Sequence, residues 1–162
     1  MIFGSQRDFG LFTGINRELL SDVIEQEILF YKMSLEQTTA NIYGEGMEKV
    51  FWSPIKYNCL IQRGDQRSTV DELGVDIVRE VKFNMLRQDL IDTNVEPEIG
   101  DIVMWQENYY EIDNITENQL FLGKDNAYNL TDYGSNFGAS VSLILECHLT
   151  RSTKVAIVKD RL

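Results

Sequence analysis

Between Pro97 and Gly123 the chain reads PEIGDIVMWQENYYEIDNITENQLFLG, and this stretch narrows the possible folds more than any other. Pro97 and Gly100 interrupt whatever precedes them. Asp101 to Trp105 is a short apolar run, Gln106 to Asn108 a tight turn, and Tyr109 to Ile115 a return run rich in aromatic and β-branched residues. Those residue types fit a pleated, half-buried surface. A further turn starts at Asn118, and Leu120 to Leu122 follows. Three short strands joined by turns of a few residues make a β-meander.

The rest of the chain extends that pattern. Val81, Phe83 and Met85 alternate with Glu80, Lys82 and Asn84, which predicts a strand within Asp76 to Asp89. Pro54 cannot donate to a ladder and suits a strand start, so a strand is expected from Ile55 to Gln62. Ser140 to Thr150 reads as a long strand and Lys154 to Val158 as a short apolar one. Ser34 to Lys49, Arg63 to Gly74 and Lys124 to Ala139 are polar and turn-prone, and are expected to be loops. Near the N-terminus, Leu19, Leu20, Val23, Ile24 and Ile28 recur at three- and four-residue steps, opposite Glu18, Asp22, Glu25, Gln26 and Glu27. That spacing predicts an amphipathic helix from about Asn16 toward Tyr31. Because ILFYKM is equally good strand sequence, the helix is expected to yield to a strand from Ile28 to Met33. Some seven strands, at most two helices and no βαβ rhythm predict a mainly β chain. The expected architecture is a small antiparallel β-barrel or sandwich (35–162) with an N-terminal helical arm (1–34).

Composition bounds the function. The 162 residues carry a net charge of −11, which argues against a nucleic-acid-gripping surface, since phosphate contacts need clustered Lys and Arg. An acidic surface repels phosphate and is compatible with DNA passing by. The N-terminus lacks a basic stretch followed by an apolar run, and no segment has the eighteen or so apolar residues of a membrane helix. An intracellular place of synthesis and no membrane contact are expected. Cys59 and Cys147 are far apart and read as two small buried residues rather than a disulfide.

No motif carries recognisable chemistry. The single histidine, His148, adjoins Cys147 in a strand, where neighbours face opposite sides and cannot easily share a metal. The acidic stretches DNITENQ and GKDNAYN do not match a calcium loop, and the glycines of YGEG and YGSNFG lack the lysine of a phosphate loop. Arg63-Gly64-Asp65 is expected to be a turn. The expectation is therefore a non-enzyme with no cofactor and no metal. The aromatic residues of the Lys124–Ala139 loop, Tyr128, Tyr133 and Phe137, are interface candidates, because aromatics in exposed loops are enriched at protein contacts. So are Leu19, Leu20, Val23 and Ile24 of the helix, whose apolar stripe must pack on the domain or on a neighbouring subunit.

Residues Glu96-Pro97-Glu98-Ile99-Gly100-Asp101-Ile102-Val103-Met104-Trp105, followed by Tyr109-Tyr110-Glu111-Ile112, resemble the neck proteins of tailed bacteriophages, the head-closure or stopper class. The upstream piece NIYGEGMEKVFWSPIKYNCLIQRGDQ is similar to the contractile-tailed version, in which a Tyr-Gly-Glu turn precedes the first barrel strand. The resemblance covers roughly residues 36–122. It implies a virion protein, assembled in the host cytoplasm, that forms a homo-oligomeric ring around the DNA channel. The portal or adaptor protein would lie on one side and the tail terminator on the other, with no cofactor and no sequence-specific DNA binding. A free-standing β-barrel module that binds a protein or ligand is the alternative from the residues alone.

Overall fold

The computed structural model describes residues 6–34, 39–40, 46–71, 74–120, 140–150 and 157. An α-helix, α1 (Gln6–Glu18), runs into a π-helical segment, Leu19–Ile24. The strands are β1 (Glu27–Tyr31), β2 (Thr39–Ala40), β3 (Gly46–Glu48), β4 (Ile55–Asn58), β5 (Leu60–Asp71) and β6 (Gly74–Leu86). A short helix, α2 (Arg87–Thr93), precedes β7 (Ile102–Trp105), β8 (Asn108–Leu120) and β9 (Ser140–Thr150).

Among the described residues, seven strands form one antiparallel sheet in the order β4-β1-β7-β8-β9-β6-β5. The protein is thus mainly β, as the alternation predicts. The sheet is open in its hydrogen bonding, yet its two outermost strands, β4 and β5, are separated in the chain by Cys59 alone. Two extended steps span at most about 7 Å, so the sheet curls until the end of β4 lies beside the start of β5. The Cys59 amide donates to the Gln26 carbonyl at 3.0 Å, which carries the β1–β4 ladder one pair beyond Glu27–Asn58.

Curling gives the sheet an inside. Ile28, Phe30, Tyr57, Val81, Phe83, Met85, Val103, Trp105, Tyr110, Ile112, Leu143, Leu145 and Cys147 form one buried cluster, drawn from six of the seven strands. The register explains the membership: Phe30 lies opposite Val103, Val103 opposite Tyr110, Ile112 opposite Cys147, and Cys147 opposite Val81. Every second residue of each strand therefore faces the same interior. The alternate set on β1, β7 and β8 makes a second, smaller cluster outside, where Tyr31, Ile102 and Tyr109 are buried against Leu29, Phe51, Met104 and Ile157.

Several expectations are corrected. Residues 63–74, read as a loop, belong mostly to a long β5–β6 hairpin whose last pairs are Val70–Val75 and Asp71–Gly74. β6 pairs with β9 only from Glu80 to Leu86, so the distal ribbon extends beyond β9. Arg63-Gly64-Asp65 lies in this strand at a register shift. There a Cβ on Gly64 would come within 2.9 Å of the Glu80 carbonyl oxygen, which explains the glycine without any turn.

The strand expected to reach Asp89 stops at Leu86 and becomes α2. That helix closes with Asn94 in the left-handed region (φ 54°). Its amide donates to Ile91 O and that of Val95 to Leu90 O, while Val95 packs beside the buried Leu90. β8 continues through the turn expected at Asn118, and that signal survives only as register shifts between Thr116 and Leu120. The helix begins at Gln6 rather than near Asn16, and ends before β1 at Glu25, which adopts φ 47°. Gly10 and Gly14, each costing about 1 kcal/mol in a helix interior, hide its first two turns from a periodicity reading. Ser34 to Lys49 holds the β2–β3 hairpin. β1, within the segment read as an arm, is an interior strand of the sheet. Lys124–Ala139, with Tyr128, Tyr133 and Phe137, lies outside the described residues, as does the Lys154–Val158 strand apart from Ile157.

Candidate functional site

The helical arm presents two different faces. Toward the body, Arg17 donates to Asp89 and, at 2.8 Å, to Asp92, both on α2. The hydrogen bond to Asp92 is the main reason that the Arg17 guanidinium holds its proton above its usual range. The Asp92 carboxyl lies below its usual range, first through the Gln88 amide and then through Arg17. Leu20 is 9% exposed and lines a cleft with Tyr57 and Thr93. These contacts fix the arm against the end of the sheet.

Away from the body, Leu11, Ile15, Leu19 and Val23 are 64%, 56%, 45% and 73% exposed. They recur every fourth residue, and in an α-helix such a row drifts by about 40° per step. A π-helix has about 4.4 residues per turn, so the step from Leu19 to Val23 turns back by a similar angle. The π-helical segment thereby keeps Val23 in line with the three residues before it.

The stripe expected from sequence is thus divided. Leu19 and Val23 face out, Leu20 faces the body, Ile24 is half-buried, and Ile28 belongs to β1, 1% exposed in the main core. Leu11 and Ile15 escaped the sequence reading. The four-residue spacing in LFTGINREL was their signal, obscured by the neighbouring glycines.

A second apolar surface lies outside the sheet. A groove of about 410 Å³ runs over β1, β4 and β7, lined by Leu29, Tyr31, Pro54 and Met104, with Lys56 and Glu27 at its rim. The Lys56 ammonium contacts the Glu27 carboxylate at 2.7 Å, and both side chains are more than half exposed. Nothing in the sequence marked this groove, because β1 and β4 are far from β7 in the chain.

The Gly100–Asp101 turn, which carries the family resemblance, is a fastener. Gly100 sits at φ 95° and its amide donates to the Ile112 carbonyl. Asp101 is 1% exposed. It accepts from the amides of Met33 (2.9 Å) and Glu98 (2.8 Å) and from the Lys32 ammonium (3.1 Å). Lys32 also donates to Glu96 O and Glu98 Oε2. One carboxylate therefore ties the end of β1 to the turn that starts β7.

The His148 side chain lies on the outer face of β9, with its Nδ1 2.7 Å from both Asp113 oxygens. Cys147, its neighbour, faces the core, so the two make no nucleophile–base pair. Cys59 and Cys147 are free thiols, and burial pushes Cys59 up to about 12 and raises Cys147 as well. Among the described residues no cluster of three or more His, Cys, Asp or Glu could hold a metal, and no helix is long and apolar enough to cross a membrane. Beside α2, a cavity of about 390 Å³ is lined by Leu90, Ile91, Val95 and Leu143. Arg87 borders it, 3.8 Å from Glu117, and burial pulls its guanidinium below its usual range.

No protein-family model matches the chain, and no curated protein matches it either.

Proposed function

We propose that this chain is a structural subunit of a tailed-phage neck, forming a ring that joins the portal-bearing head to the tail around the DNA channel. The observation that carries the reading is the outward face of the arm. Leu11, Ile15, Leu19 and Val23 stand in water on a helix that Arg17 pins in place. An apolar row standing off its own core is what a chain built to be covered in an assembly presents. The resemblance of residues 96–105 and 109–112 to head-closure proteins supplies the identity of the assembly. The net charge of −11 suits a channel wall that does not hold phosphate. Portal or adaptor and tail terminator are the partners this reading names. Deleting the gene tests it: DNA-filled heads and complete tails that do not join are expected, whereas normal joined particles would overturn it.

A second reading, a free-standing β-barrel binding module, is favoured by the cavity beside α2, where Arg87 adjoins apolar walls. Pockets of this size take small ligands. Particles that join normally without the chain, together with thermal stabilisation by a small carboxylic acid that Arg87→Met abolishes, would establish that module instead.

A further inference from the structure

Two features of the arm are not accounted for within one copy of the chain. The first is the outward row Leu11, Ile15, Leu19 and Val23. The second is a pair of glycines. Gly10 and Gly14 lie in the interior of α1, where glycine disfavours the helix. Neither has a positive φ, and a Cβ at either would meet nothing within 4 Å. Gly14 follows Leu11 by three residues and is its neighbour on the helix surface. The glycines therefore lower one flank of the row, where another backbone can come close. We propose that two copies pair through their arms, antiparallel and row against row, about a twofold axis beside Arg17, and that this dimer is the form of the free protein. The inference goes beyond the neck reading and does not depend on it.

Three observations select a second arm as the occupant. The first is area. Leu11, Ile15, Leu19, Val23 and the flanking Phe12 each leave on the order of 100 Å² exposed. In a twofold contact both sides are the same patch, so the areas match, and two facing rows bury about 1,000 Å², the threshold for a specific interface. The second is shape. The row repeats every fourth residue, and two ridges of that spacing interdigitate in the commonest packing of one helix on another. The third is charge. Glu18, Asp22 and Glu25 crowd the C-terminal half of the arm. A parallel pair would set Glu18 against Glu18 and Asp22 against Asp22. In an antiparallel pair centred on residue 17, Glu18 falls level with Asn16 and Asp22 with Phe12, both uncharged, while Ile15 meets Leu19 and Leu11 meets Val23. The two helix dipoles then oppose each other, the favourable arrangement side by side. A twofold contact closes on itself and cannot be the repeating contact of a ring with one polarity. On the neck reading the arms therefore mask one another in the free protein and exchange this contact when the neck forms.

Sedimentation equilibrium of the full chain tests the pairing, and cross-linking tests its direction. A reversible dimer with a dissociation constant on the order of 10 µM is expected for so small a contact. Ile15→Asp should weaken it roughly a hundredfold with an unchanged circular dichroism spectrum. Both native thiols are buried, so an introduced exposed cysteine is the reactive one. Chains carrying Leu11→Cys and chains carrying Val23→Cys, mixed and treated with a short bismaleimide, should link to one another, and each variant alone should stay unlinked. Linkage within each variant alone would mean parallel arms and overturn the contact. A chain that stays monomeric at millimolar concentration, or a dimer that Ile15→Asp leaves intact, would overturn it as well. The neck reading fails or stands separately. A monomeric chain that nevertheless forms a ring in particles would sink the arm pair and leave the neck, and an arm pair in a chain absent from every particle would do the reverse.

Discussion

Replacing Asp101 by alanine should be among the most damaging single changes in the chain. The carboxylate is 1% exposed and accepts three hydrogen bonds, two from backbone amides and one from an ammonium group. Truncation leaves the Met33 and Glu98 amides without an acceptor and Lys32 without its buried counter-charge. Each unsatisfied buried group costs about 1–3 kcal/mol, and breaking a buried ion pair from one side costs about 3–5 kcal/mol. A loss of about 4 kcal/mol is expected. For a chain of 162 residues that is a fall in Tm of about 8–16 °C. Lys32→Met should cost less, about 1–2 kcal/mol, because Asp101 keeps both amide donors and the Lys32 side chain is already a quarter exposed. Urea denaturation followed by tryptophan fluorescence measures both, with an unchanged slope showing that the unfolded states are comparable. A loss below about 1 kcal/mol for Asp101→Ala, or a larger loss for Lys32→Met, would refute the fastener.

The two faces of the arm should separate cleanly. Leu20→Asp places a charge against the body and should destabilise the monomer by about 3 kcal/mol or more, whereas Val23→Asp should change stability by no more than about 0.5 kcal/mol while blocking assembly. A thermal melt with sedimentation reads both, and equal destabilisation would mean that Val23 belongs to the monomer's own core. The two-residue turn between β7 and β8 holds Gln106 at φ 49° and Glu107 at φ 62°, conformations that favour Asn and Gly. Replacing the pair by Asn-Gly should raise stability by about 1 kcal/mol, and a neutral or negative result would mean that this turn is not strained. Cys59, with its thiol pushed up to about 12, and the still more reluctant Cys147 should resist a disulfide reagent at pH 8 until the chain unfolds. Rapid labelling of the native protein would show that the core opens easily.

What the sequence revealed depended on burial. Ser140–Thr150 and the inner half of β6 each have one face in the core, so their apolar residues largely alternate and are readable, whereas Ile102–Trp105 is covered on both faces and reads as a continuous apolar run bounded by turn residues. The ribbon of β5 and β6 extends beyond β9, and its polar, turn-prone residues resemble a loop although they pair as a hairpin. α2 is short, with Leu90 alone of its apolar side chains buried, too little for a periodic signal. The division of the arm stripe required knowing where the body lies: Leu19 and Leu20 are neighbours in sequence, yet one is solvent-facing and the other packed. The groove over β1, β4 and β7 joins residues some fifty to seventy-five positions apart, which no local pattern encodes. The Gly100–Asp101 turn was conspicuous in the sequence, but its role emerged only from the Met33 amide and the Lys32 ammonium, which lie at the end of the adjacent strand β1 and about seventy positions earlier in the chain.

The central claim is that this protein works as a ring in the neck of a phage particle, and direct imaging of the head–tail junction tests it. Averaged density should contain a ring of these β-sheets between portal and tail, with the outward face of each helical arm covered by another subunit. A well-resolved neck into which no copy of this sheet can be fitted would contradict the account.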